Sequence, residues 1–356
     1  MKICVIGLGY VGLPLLFSLT KKFNVTGFDI SKKKIDQLRN NVDYTGEVSN
    51  KRLKKINFKV TNKKSELRNF DVYIVCVPTP VLKNKNPNLN FIKESCKIVG
   101  NAIKGSKLKP VIVLESTVYP GCSEEICIPI IEKYSNLKLN KEFYFGYSPE
   151  RINPGISKHK LNNTTKIISS SEKTSLIKLK KIYGSITKKI YVAQNIKTAE
   201  AAKVIENIQR DLNIALMNEL SIIFNRIDIN TKDVLEAAAT KWNFSYYEPG
   251  LVGGHCIGID PYYMSYLTKK IGLKKNNMIL AGRKTNEYMN SFIINTLFRL
   301  IRLKGVKLKK SKILILGYTF KENCNDVRNS KILEIFKQLK NKVDKVDLFD
   351  PVARNN

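Results

Sequence analysis

Apolar and polar residues alternate in blocks along this chain. Residues 3–8 are almost wholly apolar, 10–22 carry helical spacing, and 24–30 form a second apolar run ending near Asp29. Similar runs recur at 71–80, 109–118 and 143–151, separated by helix-like text. Apolar strands alternating with helices predict a parallel sheet in a doubly wound α/β domain, here over residues 1–195. Residues 198–226 place Ala201, Val204, Ile205, Ile208, Leu212, Ala215, Leu216, Leu220 and Ile223 at helical intervals. That spacing predicts a helix of about seven turns, with Thr198 as its cap, joining two domains. Helical text continues to residue 305. A strand-turn-helix-strand then runs through 311–350. One such unit cannot cover both faces of a sheet. The last domain, 306–356, is therefore expected to be truncated or completed by other material.

The turn after the first strand reads GLGYVG, with Gly7, Gly9 and Gly12 at G-x-G-x-x-G spacing. It follows a strand, opens a helix, and is succeeded by Asp29 at the end of the next strand. That combination is the dinucleotide fingerprint, in which the glycines let a helix N-terminus meet a pyrophosphate. A carboxylate at Asp29 accepts from ribose hydroxyls and repels a 2′-phosphate, which favours NAD over NADP. Lys32, Lys33 and Lys34 are the residues that could receive such a phosphate. The predicted class is thus α/β: an N-terminal doubly wound Rossmann domain, a central helical domain (196–305) with one long helix, and an incomplete C-terminal Rossmann-like domain.

Composition narrows the function. The formal charge is +32, mostly lysine spread along the chain, and no basic motif interleaved with aromatics appears. Nucleic-acid binding is not expected; anionic small molecules fit that charge. No apolar stretch approaches the ~18 residues needed to span a bilayer, so no membrane association is expected. Seven cysteines and two histidines give neither a C-x-x-C pair nor a zinc pattern. No metal is expected, and reduced cysteines point to the cytoplasm.

Several side chains could carry chemistry. Thr79 and Thr117 follow predicted strand ends, where ligands bind in open α/β sheets, or they bond their own turns. Glu150 is either a general base or the partner of its neighbour Arg151 in a surface ion pair. Lys203 and Asn207 share a helix face, and Lys203 alone reads equally as a solvated lysine. Cys256 lies in GLVGGHCIGIDPYY, whose glycines let backbone approach another group closely. A nucleophilic cysteine needs N–H donors or a cation to favour its thiolate. Asp260 lies four residues on.

Taken in order, GLGYVGLPL, ESTVYPG, SPERINPG, AEAAKVIENIQRDLNIALMNEL, GLVGGHCIGIDPYY and GYTFKENCNDVRNS resemble the UDP-glucose/GDP-mannose dehydrogenase family from Met1 to the chain end. SPERINPG and KWNF resemble the branch acting on UDP-N-acetylhexosamines for surface polysaccharides such as capsule, with the glucosamine epimer the expected substrate. The galactosamine epimer and UDP-glucose are the alternatives, as is an inactive nucleotide-binding chain. The resemblance implies that Cys256 is the nucleophile in two NAD-dependent oxidations, through a thiohemiacetal and a thioester. Lys203 and Asn207 would stabilise the oxyanion. Glu150, Asp260 and Thr117 would position the hydrolytic water. Gly7, Gly9, Tyr10, Val11, Gly12, Asp29, Lys34, Thr79, Thr117 and Arg328 match cofactor positions. Glu150, Arg151, Lys203, Asn207, Tyr246, Gly253 and Lys321 match substrate positions. The family resemblance also implies a homodimer built on the long helix.

Overall fold

The computed structural model describes residues 1–56, 58–151, 163–254, 256–273, 277–319, 322 and 326–353. The chain divides into two compact units, 1–204 and 205–356, parting within the long helix.

The first unit is built on an eight-stranded sheet in the order β3-β2-β1-β4-β5-β6-β7-β8. The strands are β1 (Lys2–Ile6), β2 (Asn24–Phe28), β3 (Lys59–Thr61), β4 (Val72–Val75), β5 (Val111–Leu114), β6 (Tyr144–Tyr147), β7 (Lys166–Ser170) and β8 (Ile190–Val192). β4 and β5 are buried at every residue, which is why they read as unbroken apolar runs. Ile3, Val5, Ile74 and Val113 join Leu13 and Leu16 of the first helix (Gly12–Leu19) in one core.

The sheet departs from the expected all-parallel arrangement at one place. β1 to β6 are parallel, but β7 runs antiparallel to β6, pairing Gly146 with Ser170 and Tyr147 with Ser169. β7 follows a long connection, so nothing local in the sequence dictates its direction.

The glycines of the first turn act differently from one another. Gly7 adopts φ +90°, and a Cβ there would stand 2.8 Å from the Cys76 carbonyl oxygen. A Cβ on Gly12 would fall 1.9 Å from the Gly7 carbonyl oxygen. Gly12 therefore lets the helix start directly against the turn.

The long helix spans Ile196–Arg226, 31 residues. Its cap is Asn195 rather than Thr198: the Asn195 side-chain Oδ1 accepts the Thr198 N–H at 2.8 Å and the Thr198 hydroxyl at 2.9 Å. Thr198 lies inside the first turn because the amide three residues earlier captures the free N–H.

The second unit adds helices Thr231–Ala239, Asp260–Lys270, Asn277–Leu303 and Lys331–Leu339, and a parallel pair, β9 (Lys312–Leu316) and β10 (Lys345–Phe349). Ile313, Ile315 and Val346 pack with Ile335 and Leu339 on one face of the pair. Leu314, Leu316 and Phe349 on the other are 60%, 72% and 59% exposed. The β9 turn repeats the first turn's solution. The Gly7 N–H donates to the Phe28 carbonyl and the Leu8 N–H to Asp29; Gly317 and Tyr318 donate likewise to Phe349 and Asp350.

One buried carboxylate ties the long helix to the segment that follows β5. Glu200 is fully buried and accepts the N–H groups of Gly121 at 2.6 Å and Ser123 at 2.9 Å. Burial pushes its carboxyl up to about 7, against the pull of those two donors. An acid raised in the folded state adds stability that is fully present below pH 4.5 and lost as pH rises through about 7. Urea unfolding of wild type and Glu200→Gln should show wild type losing up to about 3 kcal/mol relative to the variant across that window. A pH-independent difference refutes the assignment.

Candidate active site

Gly7, Gly9, Tyr10, Val11 and Gly12 form the turn into the first helix, which has no side-chain cap and no acidic residue in its first turn. Within that first turn the Leu13 N–H donates to the Gly9 carbonyl at 3.1 Å, and Pro14 has no N–H to offer. Asp29 lies just past β2, 6% exposed. It accepts the N–H of Leu8 at 3.1 Å and of Ser31 at 2.9 Å. Lys34 reaches the same carboxylate at 3.4 Å and sits 5.1 Å from the centre of the Tyr44 ring. Burial works against the Lys34 charge, but Asp29 and Tyr44 outweigh it and hold its pKa above the ordinary value. Lys34 is therefore committed to Asp29, while Lys32 and Lys33 are exposed.

Thr79, Thr117 and Glu150 lie past the C-terminal ends of β4, β5 and β6, on the sheet edge where ligands bind. Both threonines are half-buried. Glu150 is met by Lys166, whose ammonium lies 3.3 Å from one of its oxygens. The same ammonium lies 2.9 Å from Glu115. The Tyr183 hydroxyl donates to the other Glu115 oxygen at 2.5 Å. The guanidinium of Arg151 donates to the Thr165 carbonyl at 2.9 Å. Lys203 is 8% exposed and forms no ion pair among the described residues, which removes the solvated-lysine alternative.

In the second unit, Asn207 donates to Asp260 at 2.5 Å. Asp260 is 2% exposed and opens its helix. The Cys256 carbonyl accepts the N–H groups of Ile259 and Asp260, fixing the turn that precedes that helix. Cys256 is exposed, whereas the other five described cysteines are buried. Its loop is held by side-chain amides at both ends. Asn218 exchanges two hydrogen bonds with the backbone of Gly250, and Asn329 bonds the backbone of Gly254. A Cβ on Gly253 would stand 2.8 Å from the Asn329 carbonyl oxygen. The close approach that this glycine permits is thus to the chain's own backbone. Tyr246 is 43% exposed and donates to Glu248. Arg328 makes a two-pronged bond to Asp326. Lys321 lies outside the described residues, as does His255.

Residues 1–187, 197–288 and 314–356 match, in turn, the NAD binding, central and UDP binding domains of the UDP-glucose/GDP-mannose dehydrogenase family. The chain belongs to that family. It is 47% identical to the UDP-N-acetyl-D-glucosamine 6-dehydrogenase of Salmonella typhi over 353 residues, 99% of this chain and 82% of that protein. It is 44% identical to the Pseudomonas aeruginosa enzyme of the same name, covering 99% of this chain and 83% of that one. The structure resembles that of UDP-D-ManNAc dehydrogenase from Pyrococcus horikoshii, with TM-score 0.91, 30% identity, and coverage of 99% and 84%. The chain is an NAD-dependent UDP-sugar dehydrogenase, an oxidoreductase.

The dehydrogenase's first turn fits that cofactor. A Cβ on Gly9 would meet nothing within 4 Å, so the fold itself has no need of a glycine there. A pyrophosphate laid against the uncapped helix start does.

Sequence reasoning missed Glu115, Lys166 and Tyr183. Glu115 stands two residues before Thr117, and its place in ESTVYPG was the available signal. Lys166 had none, being one lysine among many. The supports Asn218, Asn286, Asp211 and Arg283 were missed too. Arg283 and Asp211 pair at 2.6 Å, Asn286 bonds Asp211, and Asn218 bonds Asn286, all buried. Each reads as ordinary helix text until two helices meet.

Two glycine variants separate fold from cofactor. Gly12→Ala should cost about 3 kcal/mol or more in urea unfolding, because backbone must move. Gly9→Ala should unfold as wild type does yet bind NAD about tenfold or more weakly by fluorescence titration. Normal NAD affinity in Gly9→Ala would contradict the pyrophosphate placement.

Proposed function

We propose that this dehydrogenase oxidises C6 of a UDP-N-acetylhexosamine, UDP-N-acetylglucosamine foremost, to the uronic acid. One observation carries the reading: the exposed Cys256 stands in an otherwise closely tethered loop, in a chain whose other described cysteines are buried. The names of the Salmonella and Pseudomonas relatives support the choice of sugar.

Bound NAD supplies the hydride acceptor, one molecule for each two-electron step. The Cys256 thiolate adds to the C6 aldehyde, and the resulting oxyanion takes up a proton to give a thiohemiacetal. Oxidation of that adduct releases the proton and leaves a thioester. Water then cleaves the carbon–sulfur bond, returning the thiol and the carboxylate. The covalent adduct holds the intermediate while cofactor exchanges. Lys203, a buried ammonium with no described ion pair, and Asn207 stabilise the oxyanion. Glu150, Asp260 and Thr117 position the water. Tyr10, Val11, Asp29, Lys34, Thr79 and Arg328 bind the cofactor. Arg151, Tyr246, Gly253 and Lys321 bind the sugar nucleotide.

We retain the division into NAD-binding (1–195), central (196–305) and UDP-binding (306–356) domains as part of this reading. A homodimer along the long helix accords with its exposed Ile205, Leu216 and Ile223, spaced to form one stripe. No described helix is long and apolar enough to cross a membrane. Cytoplasmic production of a precursor for surface polysaccharide, capsule included, completes the proposal.

Wild type should release two NADH per UDP-N-acetylglucosamine, and Cys256→Ala should release no uronic acid. Faster turnover of UDP-glucose or UDP-N-acetylgalactosamine would overturn the choice of sugar. NAD binding with no turnover would favour the inactive nucleotide-binding alternative. Sedimentation should give twice the chain mass, falling to one chain in Leu216→Glu.

A further inference from the structure

The antiparallel turn of β7 has a chemical consequence. In a parallel sheet every strand begins on the edge opposite the ligand crevice. β7 begins on the crevice edge because it runs backwards against β6. Its register pairs Tyr147 with Ser169, and the same register continued three residues places Glu150 opposite Lys166. Lys166 is the first residue of β7. Its side chain is 5% exposed and its ammonium touches two carboxylates, Glu115 at 2.9 Å and Glu150 at 3.3 Å. Tyr183 backs the arrangement, its ring centre 5.2 Å from the ammonium and its hydroxyl on Glu115. The other Glu150 oxygen accepts the N–H of Arg151 at 2.7 Å.

We propose that Lys166 is a positioning residue: anchored by Glu115 and Tyr183, it fixes the orientation of the Glu150 carboxylate for attack of water on the thioester. The inference rests on the role given to Glu150 above. Glu115 supplies the second negative charge that keeps a buried ammonium in place. Burial alone would discharge it; the two carboxylates hold its pKa above the ordinary lysine value. The Lys166 backbone is itself paired, opposite Ile190 of β8.

The test is pre-steady-state NADH release by Lys166→Met/Glu115→Gln, which removes the anchor without leaving Glu115 as an uncompensated charge. The expected result is a burst of two NADH per site at a rate within about threefold of wild type, then a steady state slowed about 100-fold. Lys166→Arg, which keeps the charge, should stay within about tenfold of wild type. Burst and steady state falling together would show scaffolding alone and overturn the proposal. So would wild-type steady-state turnover in the double variant, since Lys166 would then only neutralise Glu115. Glu150→Gln separates the two readings. If it hydrolyses normally, the role of Glu150 fails and this inference with it. If it is slow while the double variant is normal, only this inference fails.

Discussion

A buried ammonium held between two carboxylates organises the crevice edge of the first unit. Glu115 and Glu150 lie just past the ends of β5 and β6 and Lys166 opens β7, so their contacts join three neighbouring strands. Removing the ammonium alone would leave two carboxylates uncompensated in a low-dielectric setting, a cost of about 3–5 kcal/mol for buried pairs. The arrangement therefore constrains its members together. Thr117 follows Glu115 by two residues and Glu150 belongs to the cluster, so the fixed geometry extends to residues assigned to the chemistry.

The same economy of backbone recurs at the two nucleotide-type turns. In each, a glycine with positive φ ends a strand, its N–H meets the carbonyl before an aspartate, and that aspartate takes the next N–H. In the first turn Asp29 also takes Lys34, which withdraws one cation from any role as a 2′-phosphate receptor. In the second, Asp350 bonds the N–H groups of Tyr318, Thr319, Val352 and Ala353. Slight burial notwithstanding, these donors hold its carboxyl down at about 2. One local solution serves a cofactor turn in one place and a structural clasp in the other.

The Cys256 loop shows how an exposed thiol is kept in register without packing. Asn218 and Asn329 bond its backbone, and Asn218 is itself fixed through Asn286 to the buried Asp211–Arg283 pair. Gly253 is required for contact with Asn329, and Gly254 adopts φ +81°. Gly253 thus also serves the loop's attachment to its own chain.

Sequence alone determined the apolar strands, the dinucleotide turn with Asp29, the long helix and the residues of the cysteine loop. These are local patterns: periodicity, glycine spacing and the residue just past a strand are set within a few positions of one another. Thr198 as cap failed because the helix starts earlier, at Ile196, with the Asn195 side chain accepting the Thr198 N–H. The reversal of β7, the pairing of Lys166 with Glu115 and Glu150, and the Asp211–Arg283 support were decided only by the tertiary structure. Each joins residues at least 16 positions apart, and in a chain with 62 lysines and arginines no composition marks the two cations that are buried and paired. Burial selects them, and burial is a property of the folded sheet and of helices already packed.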